Sequence, residues 1–194
     1  MRKDFYIFRH GQSSYNLKGL IQGHTNNSEL TDIGKEQALD VGKRLKNKGV
    51  ELIVSSPLRR ALQTAEFANK SLNVPIQTDE HFIEVNVGDA EGMHYLEAQR
   101  TYSDIFDKLH SKTPGNDEIC YPNGETRKQV RKRVFEGLDY WAAQNDINNI
   151  AISSHGIMLS QILINMGIET ADIKNGAILH ICKENNQWRI IEWL

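Results

Sequence analysis

Short apolar runs separated by helical patterns constrain this chain more than any other feature. Phe5–Phe8, Glu51–Val54 and Asn149–Ser153 are each too short for a helix and read as buried strands. Between them the period changes. Thr31 or Asp32 can cap a helix running to about Lys48, with Ile33, Ala38, Val41 and Leu45 on one face and Gly49 closing it. Ser56 and Pro57 open a second helix, as N-cap and first-turn residue, which extends to about Asn69. Residues 74–91 read as extended and irregular. Helical patterns return near 95–110, 125–144 and 156–166, and 177–183 with 187–193 reads as a hairpin turning at Glu184-Asn185-Asn186. Strands alternating with helices predict an α/β fold, a three-layer α-β-α sandwich. The terminal hairpin makes its central sheet mostly parallel but mixed. With 194 residues and no repeat or Pro/Gly-rich linker, one domain over 1–194 is expected.

Composition removes several function classes. A formal net charge of -2 leaves no overall basic field for nucleic acid, so anion binding must come from a local cluster of Arg and His. No stretch is apolar enough to span a bilayer, and the N-terminal apolar run stops at Arg9, too soon for a signal peptide. A cytoplasmic protein is expected. Cys120 and Cys182 form no CxxC pair and read as two buried, reduced thiols. His24, His81, His94, His110 and His180 lack metal-ligand spacing, so neither a metal nor another cofactor is expected.

Two strand ends share one layout. The first run leads into Arg9-His10-Gly11, and the Asn149 run leads into Ser154-His155-Gly156. Ligands of open α/β sheets bind beyond the carboxyl ends of strands. Glycine after each histidine lets the backbone turn and leaves room for a ligand. A third strand end opens a helix at Ser55-Ser56-Pro57-Leu58-Arg59-Arg60, where free N–H groups and a planar guanidinium suit a phosphate.

These residues resemble the histidine phosphatases, the phosphoglycerate mutase-like superfamily, over nearly the whole chain. Arg9-His10-Gly11-Gln12-Ser13-Ser14-Tyr15-Asn16 is similar to the family's opening motif, and Gln22-Gly23 with Leu30-Thr31-Asp32-Ile33-Gly34 to the segment after it. Ser55 to Ala65 resembles the motif whose phosphate-binding arginine falls on Arg60. Glu84 to Gly92 resembles the stretch carrying the family's acid, which falls on Glu84. Asn123-Gly124-Glu125-Thr126 with Arg133 looks like its later helix start, and Ser154-His155-Gly156 like its second histidine. The ordered set is far more specific than any single tripeptide.

The resemblance implies a phosphomonoesterase acting on a small phosphorylated metabolite. His10 would be the nucleophile, forming phosphohistidine. Arg9, Arg60 and His155 would neutralise the phosphoryl oxygens, and nearby arginines would keep His10 unprotonated. Glu84 would be general acid and then base. Asn16, Gln22 and Gly156 would contact substrate. Arg59 reads as a solvated residue. The run Arg127-Lys128…Arg131-Lys132-Arg133 reads as a solvated helix face, with an internal salt bridge for Arg133. Glu125 and Thr126 would cap their helix, and Asp89 and Glu91 would hold a loop. Residues 93–121 would cover the site, mixing Tyr95, Tyr102, Phe106 and Tyr121 with Arg100, Lys108 and Lys112. The mutase branch resembles this chain less. Val85-Asn86-Val87 stand where it has Arg-His-Tyr, Tyr95 stands at its lysine, and no Arg-Arg pair lies between Glu84 and His155. Mutase-type transfer and a non-catalytic phospho-ligand module remain the alternatives.

Overall fold

The Phe5–Phe8 run lies inside β1 (Lys3–Arg9), and its side chains divide between two cores. The computed structural model describes residues 2–110, 116–168 and 172–194. Six strands form one sheet in the order β3-β2-β4-β1-β5-β6. β2 (Leu52–Ser55), β3 (Ile76–Thr78) and β4 (Asn149–Ser154) join β1 in a parallel set, while β5 (Ile178–Glu184) and β6 (Gln187–Trp193) run antiparallel. On one face Phe5, Ile7, Leu52, Val54, Ile150 and Ile152 pack under α6 (Arg127–Ala142) and α7 (Gly156–Asn165). On the other, Tyr6, Phe8, Ile53 and Ala151 pack under α2 (Asp32–Leu45) and α3 (Arg59–Leu72). Helices on both faces of a mixed sheet make the three-layer sandwich. Each fully buried Phe or Ile contributes roughly 1.5–3 kcal/mol relative to exposure. α2 and α3 approach so closely that a Cβ on Gly42 would lie 2.2 Å from the Ala68 carbonyl oxygen.

Several elements depart from the sequence expectation. α3 begins at Arg59 rather than at Ser56-Pro57, with Leu58 in the cap position and no cap from its own side chain. The Arg59 N–H is met by Asn26 Oδ1 at 2.6 Å, from a distant loop. Leu58 is extended, so the Ser56 hydroxyl, which also faces His155 Nε2 at 2.7 Å, meets the Leu58 N–H ahead of the helix rather than an N–H of its first turn. Thr31 does cap α2, accepting from Gly34 N–H at 3.1 Å, but Ile33 is 55% exposed and Gly34 takes the inward position. Residues 74–91 contain β3 and two 3₁₀ turns, Glu80–Phe82 and Gly88–Ala90. The 95–110 pattern is broken into α4 (Tyr95–Thr101) and α5 (Ser103–His110). A one-turn helix, α1 (Ser14–Lys18), has no buried residue, so no apolar periodicity announces it; Ser13 and Asn16 form its capping box. The terminal hairpin turns on Asn185 and Asn186, both at positive φ (50° and 62°), where asparagine is tolerated. Cys182 is buried, whereas Cys120 is only partly so, and both are free. Ala90, Ala98, Phe106 and Tyr121 make a separate apolar cluster with Ile21, Val87 and Tyr102. Arg100 and Lys108 are exposed, and Lys112 lies outside the described residues. No helix among the described residues is long and apolar enough to cross a membrane.

Candidate functional site

The register of the two central strands sets the site. β1 and β4 are parallel neighbours with Arg9 opposite Ser154, so the next residues, His10 and His155, leave the sheet together. The His10 N–H donates to the Ser154 carbonyl at 2.9 Å. The two rings meet edge to face with centroids 5.3 Å apart. β2 lies on the other side of β4, with Ser55 opposite Ser153, which brings Ser56 and the start of α3 alongside.

His10 is held in one tautomer. Its Nδ1 lies 2.7 Å from the Gly11 carbonyl oxygen, which can only accept, so Nδ1 carries the proton and Nε2 the lone pair. The turn is crowded: a Cβ on Gly11 would lie 2.2 Å from the Gly34 carbonyl oxygen. Gly11 N–H donates to Thr64 Oγ1 at 3.1 Å, and Asn175 Nδ2 donates to the His10 carbonyl at 2.8 Å. Burial, then Arg60 and Arg9, hold the His10 pKa well below its usual value. His155 is depressed likewise, by burial first and then by Arg60, His10, Arg133 and Arg9. Both rings are therefore neutral around pH 7. The Ser56 hydroxyl accepts from Leu58 N–H at 3.3 Å, leaving its own hydrogen for His155 Nε2. In that arrangement His155 Nδ1 carries an N–H.

Arg60 is 1% exposed. Its Nη1 and Nη2 donate to the carbonyls of Thr25 (3.0 Å) and Gly23 (2.8 Å), and burial lowers its pKa to about 10. Arg9 Nη1 donates to the Ile173 carbonyl; burial lowers its pKa while the Glu84 charge opposes that. Arg9 packs on Gly156, where a Cβ would come within 3.4 Å of Arg9 Nε. Among the described residues, Arg9 Nε, Arg60 Nε and His155 Nδ1 are buried without a hydrogen-bond partner. Buried polar groups are ordinarily paired.

Glu84 is half-buried. Its carboxylate accepts from its neighbour Val85 N–H (3.0 Å) and, at long range, from Ile157 N–H in α7 (3.4 Å). Its backbone carbonyl is clamped by His24 Nε2 (2.8 Å) and Arg133 Nη2 (3.0 Å). Arg133 also grips Glu125 (2.8 Å) and the carbonyls of His81 and Ile83 (2.9 and 2.7 Å). Glu125 is thus an ion-pair partner, and Thr126 caps α6 in a capping box with Gln129. With Arg9, Gly156, Ile157, Ser160 and Arg127, Glu84 lines a polar cleft of about 300 Å³. Asn16 Oδ1 serves the α1 cap, and Gln22 Oε1 accepts from Ser13 Oγ at 2.8 Å. The Asn16 and Gln22 amide nitrogens make no hydrogen bond among the described residues. Arg59 is exposed and pairs with Glu29 at 2.8 Å. Asp89 accepts from Asn123 and Glu91 from the His24 N–H, so both hold loops. No group of three or more His, Cys, Asp or Glu that could hold a metal occurs among the described residues.

Asn175 and Arg127 were not singled out by sequence. Asn175 stands alone in an unpatterned stretch and carries no signal. Arg127 sits in a basic run, and only packing separates it from its solvated neighbour Lys128.

Known proteins resemble this chain over nearly its whole length. The sequence profile of the histidine phosphatase superfamily (branch 1) matches residues 5–194. An uncharacterized phosphatase, PhoE, of Bacillus subtilis is 29% identical over 192 residues, covering 96% of this chain and 92% of that protein. A probable phosphoglycerate mutase, GpmB, of Proteus mirabilis is 28% identical over 195 residues, covering 97% and 89%. The solved structure of YhfR from Bacillus stearothermophilus superposes with a TM-score of 0.88 at 24% identity, over 97% of this chain and 95% of that one.

Proposed function

The chain belongs to the histidine phosphatase superfamily, branch 1, and from that premise we propose that it is a metal-independent phosphomonoesterase with His10 as its nucleophile. One observation carries the reading. Arg9 Nε, Arg60 Nε and His155 Nδ1 are buried and unpaired around an imidazole whose Nε2 holds a lone pair. Three buried donors without partners suit the oxygens of a phosphoryl group.

His10 Nε2 attacks phosphorus; the P–N bond forms as the ester P–O bond breaks. Glu84 gives the departing oxygen its proton, and the alcohol leaves. Glu84 then takes a proton from water, whose oxygen attacks phosphorus and breaks the P–N bond. Phosphate departs and His10 is restored. Arg9 and Arg60 supply fixed positive charge throughout. His155, being neutral, contributes a hydrogen bond rather than a charge, which refines the role that the resemblance implies. Asn16 and Gln22 offer amide donors at the rim, and Gly156 leaves Arg9 room. Because the cations are built into the protein, the displacement needs no metal.

Water is the acceptor in this reading. Val85, Asn86 and Val87, standing where the mutase branch carries Arg-His-Tyr, line a largely apolar cavity and bring no cationic side chain to hold a sugar acid for rephosphorylation. We further propose a single-domain enzyme working in the cytoplasm, which its two unpaired thiols suit.

Phenyl phosphate with and without chelator, and 3-phosphoglycerate in parallel, test the reading. Phosphate release from phenyl phosphate that survives chelation, with a base-stable phosphoryl-enzyme absent from His10→Ala, is expected. Isomerisation of 3-phosphoglycerate outpacing phosphate release would make it a mutase. Failure to turn over any ester would leave a binding module.

A further inference from the structure

Arg127 is an unusual cation. It is the first residue of α6, at the positive end of the helix dipole, where acidic residues are favoured, and the first turn has none. It is half-buried, and burial lowers its pKa. Its Nη2 donates to the Leu109 carbonyl. No carboxylate pairs with it among the described residues. Asp117, whose charge it feels, is engaged by Arg131. Glu125, two residues away, is engaged by Arg133. A partly desolvated guanidinium at the wrong end of a helix costs stability unless something anionic meets it.

Its position says what that is. Arg127 and Ile157 line both the polar cleft that holds Glu84 and a second cavity, apolar and of about 170 Å³. Among the described residues the second cavity is walled mainly by Val85, Val87, Tyr95, Leu109 and Tyr121; Arg127 is its only basic lining residue, and Glu125, its one acidic residue, is already paired with Arg133. A leaving group departing past Glu84 would therefore reach Arg127 first and the apolar cavity next.

Resting on the phosphatase reading above, we propose that Arg127 is a specificity-determining residue that selects phosphate esters whose alcohol carries a carboxylate attached to an apolar, ring-sized body. A monoanion is favoured over a second phosphate because Arg127 is the one guanidinium lining the second cavity, Arg9 of the adjoining cleft being committed to the phosphoryl group, while Glu84 and Asp172 line that cleft and repel a dianion. The planar fork of arginine matches a carboxylate with two parallel hydrogen bonds.

The test compares ortho-, meta- and para-carboxyphenyl phosphate with their neutral carbamoyl counterparts and with phenyl phosphate. The wild type is expected to prefer at least one carboxylate over its amide by about ten- to a hundredfold in kcat/KM, the range of one charge-assisted hydrogen bond. Arg127→Met should bring that ratio close to unity, and Arg127→Lys, keeping charge but not the fork, should fall between. Stabilisation of each variant by orthovanadate checks that the phosphate site is intact. Lys128→Met, exposed beside Arg127 on α6, should leave the ratio unchanged. Phenyl phosphate turnover with no carboxylate preference, or a preference that survives Arg127→Met, overturns the inference while leaving the phosphatase reading standing. No turnover of phenyl phosphate overturns both.

Discussion

Lowering the pH from about 7.5 to 5.5 should weaken the fold through two residues, His10 and His155. Both are fully buried with pKa values held well below the ordinary 6.5. In the folded protein they stay neutral across this window; in the unfolded chain they take up protons as pH falls through 6.5. The unfolded state therefore binds more protons, and stability rises with pH and is lost on acidification. A buried histidine whose protonation the fold opposes in this way contributes on the order of 1 kcal/mol over the window, and the pair roughly twice that. Asp4, Asp32 and Glu192, whose pKa values the fold also lowers, start from 3.8, 3.8 and 4.5, so their losses come mainly below the window. Urea unfolding at a series of pH values measures the slope, urea being uncharged and unable to compete at an anion site. His10→Gln and His155→Gln should each remove about half of the difference, and the double variant nearly all of it. If the double variant keeps the wild-type slope, the two histidines are not the neutral, buried pair that the nucleophile argument requires.

Two further outcomes follow from the site. Glu84→Gln should slow alkyl phosphates, whose leaving oxygen needs a proton, by about a hundredfold or more, and para-nitrophenyl phosphate far less; an equal effect, read from kcat across the ester series, would remove Glu84 as the acid. Arg60→Met should abolish the stabilisation that orthovanadate gives the wild type, about 2.7 kcal/mol at a hundred times Kd, whereas Arg59→Met should keep it; thermal unfolding with and without the anion separates the two arginines.

Much of this was legible in sequence because it is local. Phe5–Phe8 had to be a strand, since four consecutive apolar residues ending at Arg-His-Gly find both sides of a buried strand and little else. A helix had to be capped at Thr31 or Asp32, and Glu184-Asn185-Asn186 had to turn a hairpin, because cap and turn geometry reside in a few adjacent residues. The order of motifs from Arg9 to His155 named the family for the same reason. Other features depended on distance. Ser56 reads as an N-cap and does not act as one, because Leu58 stays extended and the helix starts at Arg59, while the Ser56 hydroxyl meets His155, about a hundred residues on. Ile33 reads as core and faces solvent, because Gly34 is needed where α2 meets the Gln12 backbone. Arg127 and Lys128 are adjacent members of one basic run, yet tertiary packing buries the first beside Glu84 and leaves the second in water. The residue types and their local spacing determined which chemistry this chain could assemble. Only the folded sheet, which sets Arg9 opposite Ser154, decided which atoms meet and in which protonation state, because desolvation and Coulomb interaction depend on distance in space, not along the chain.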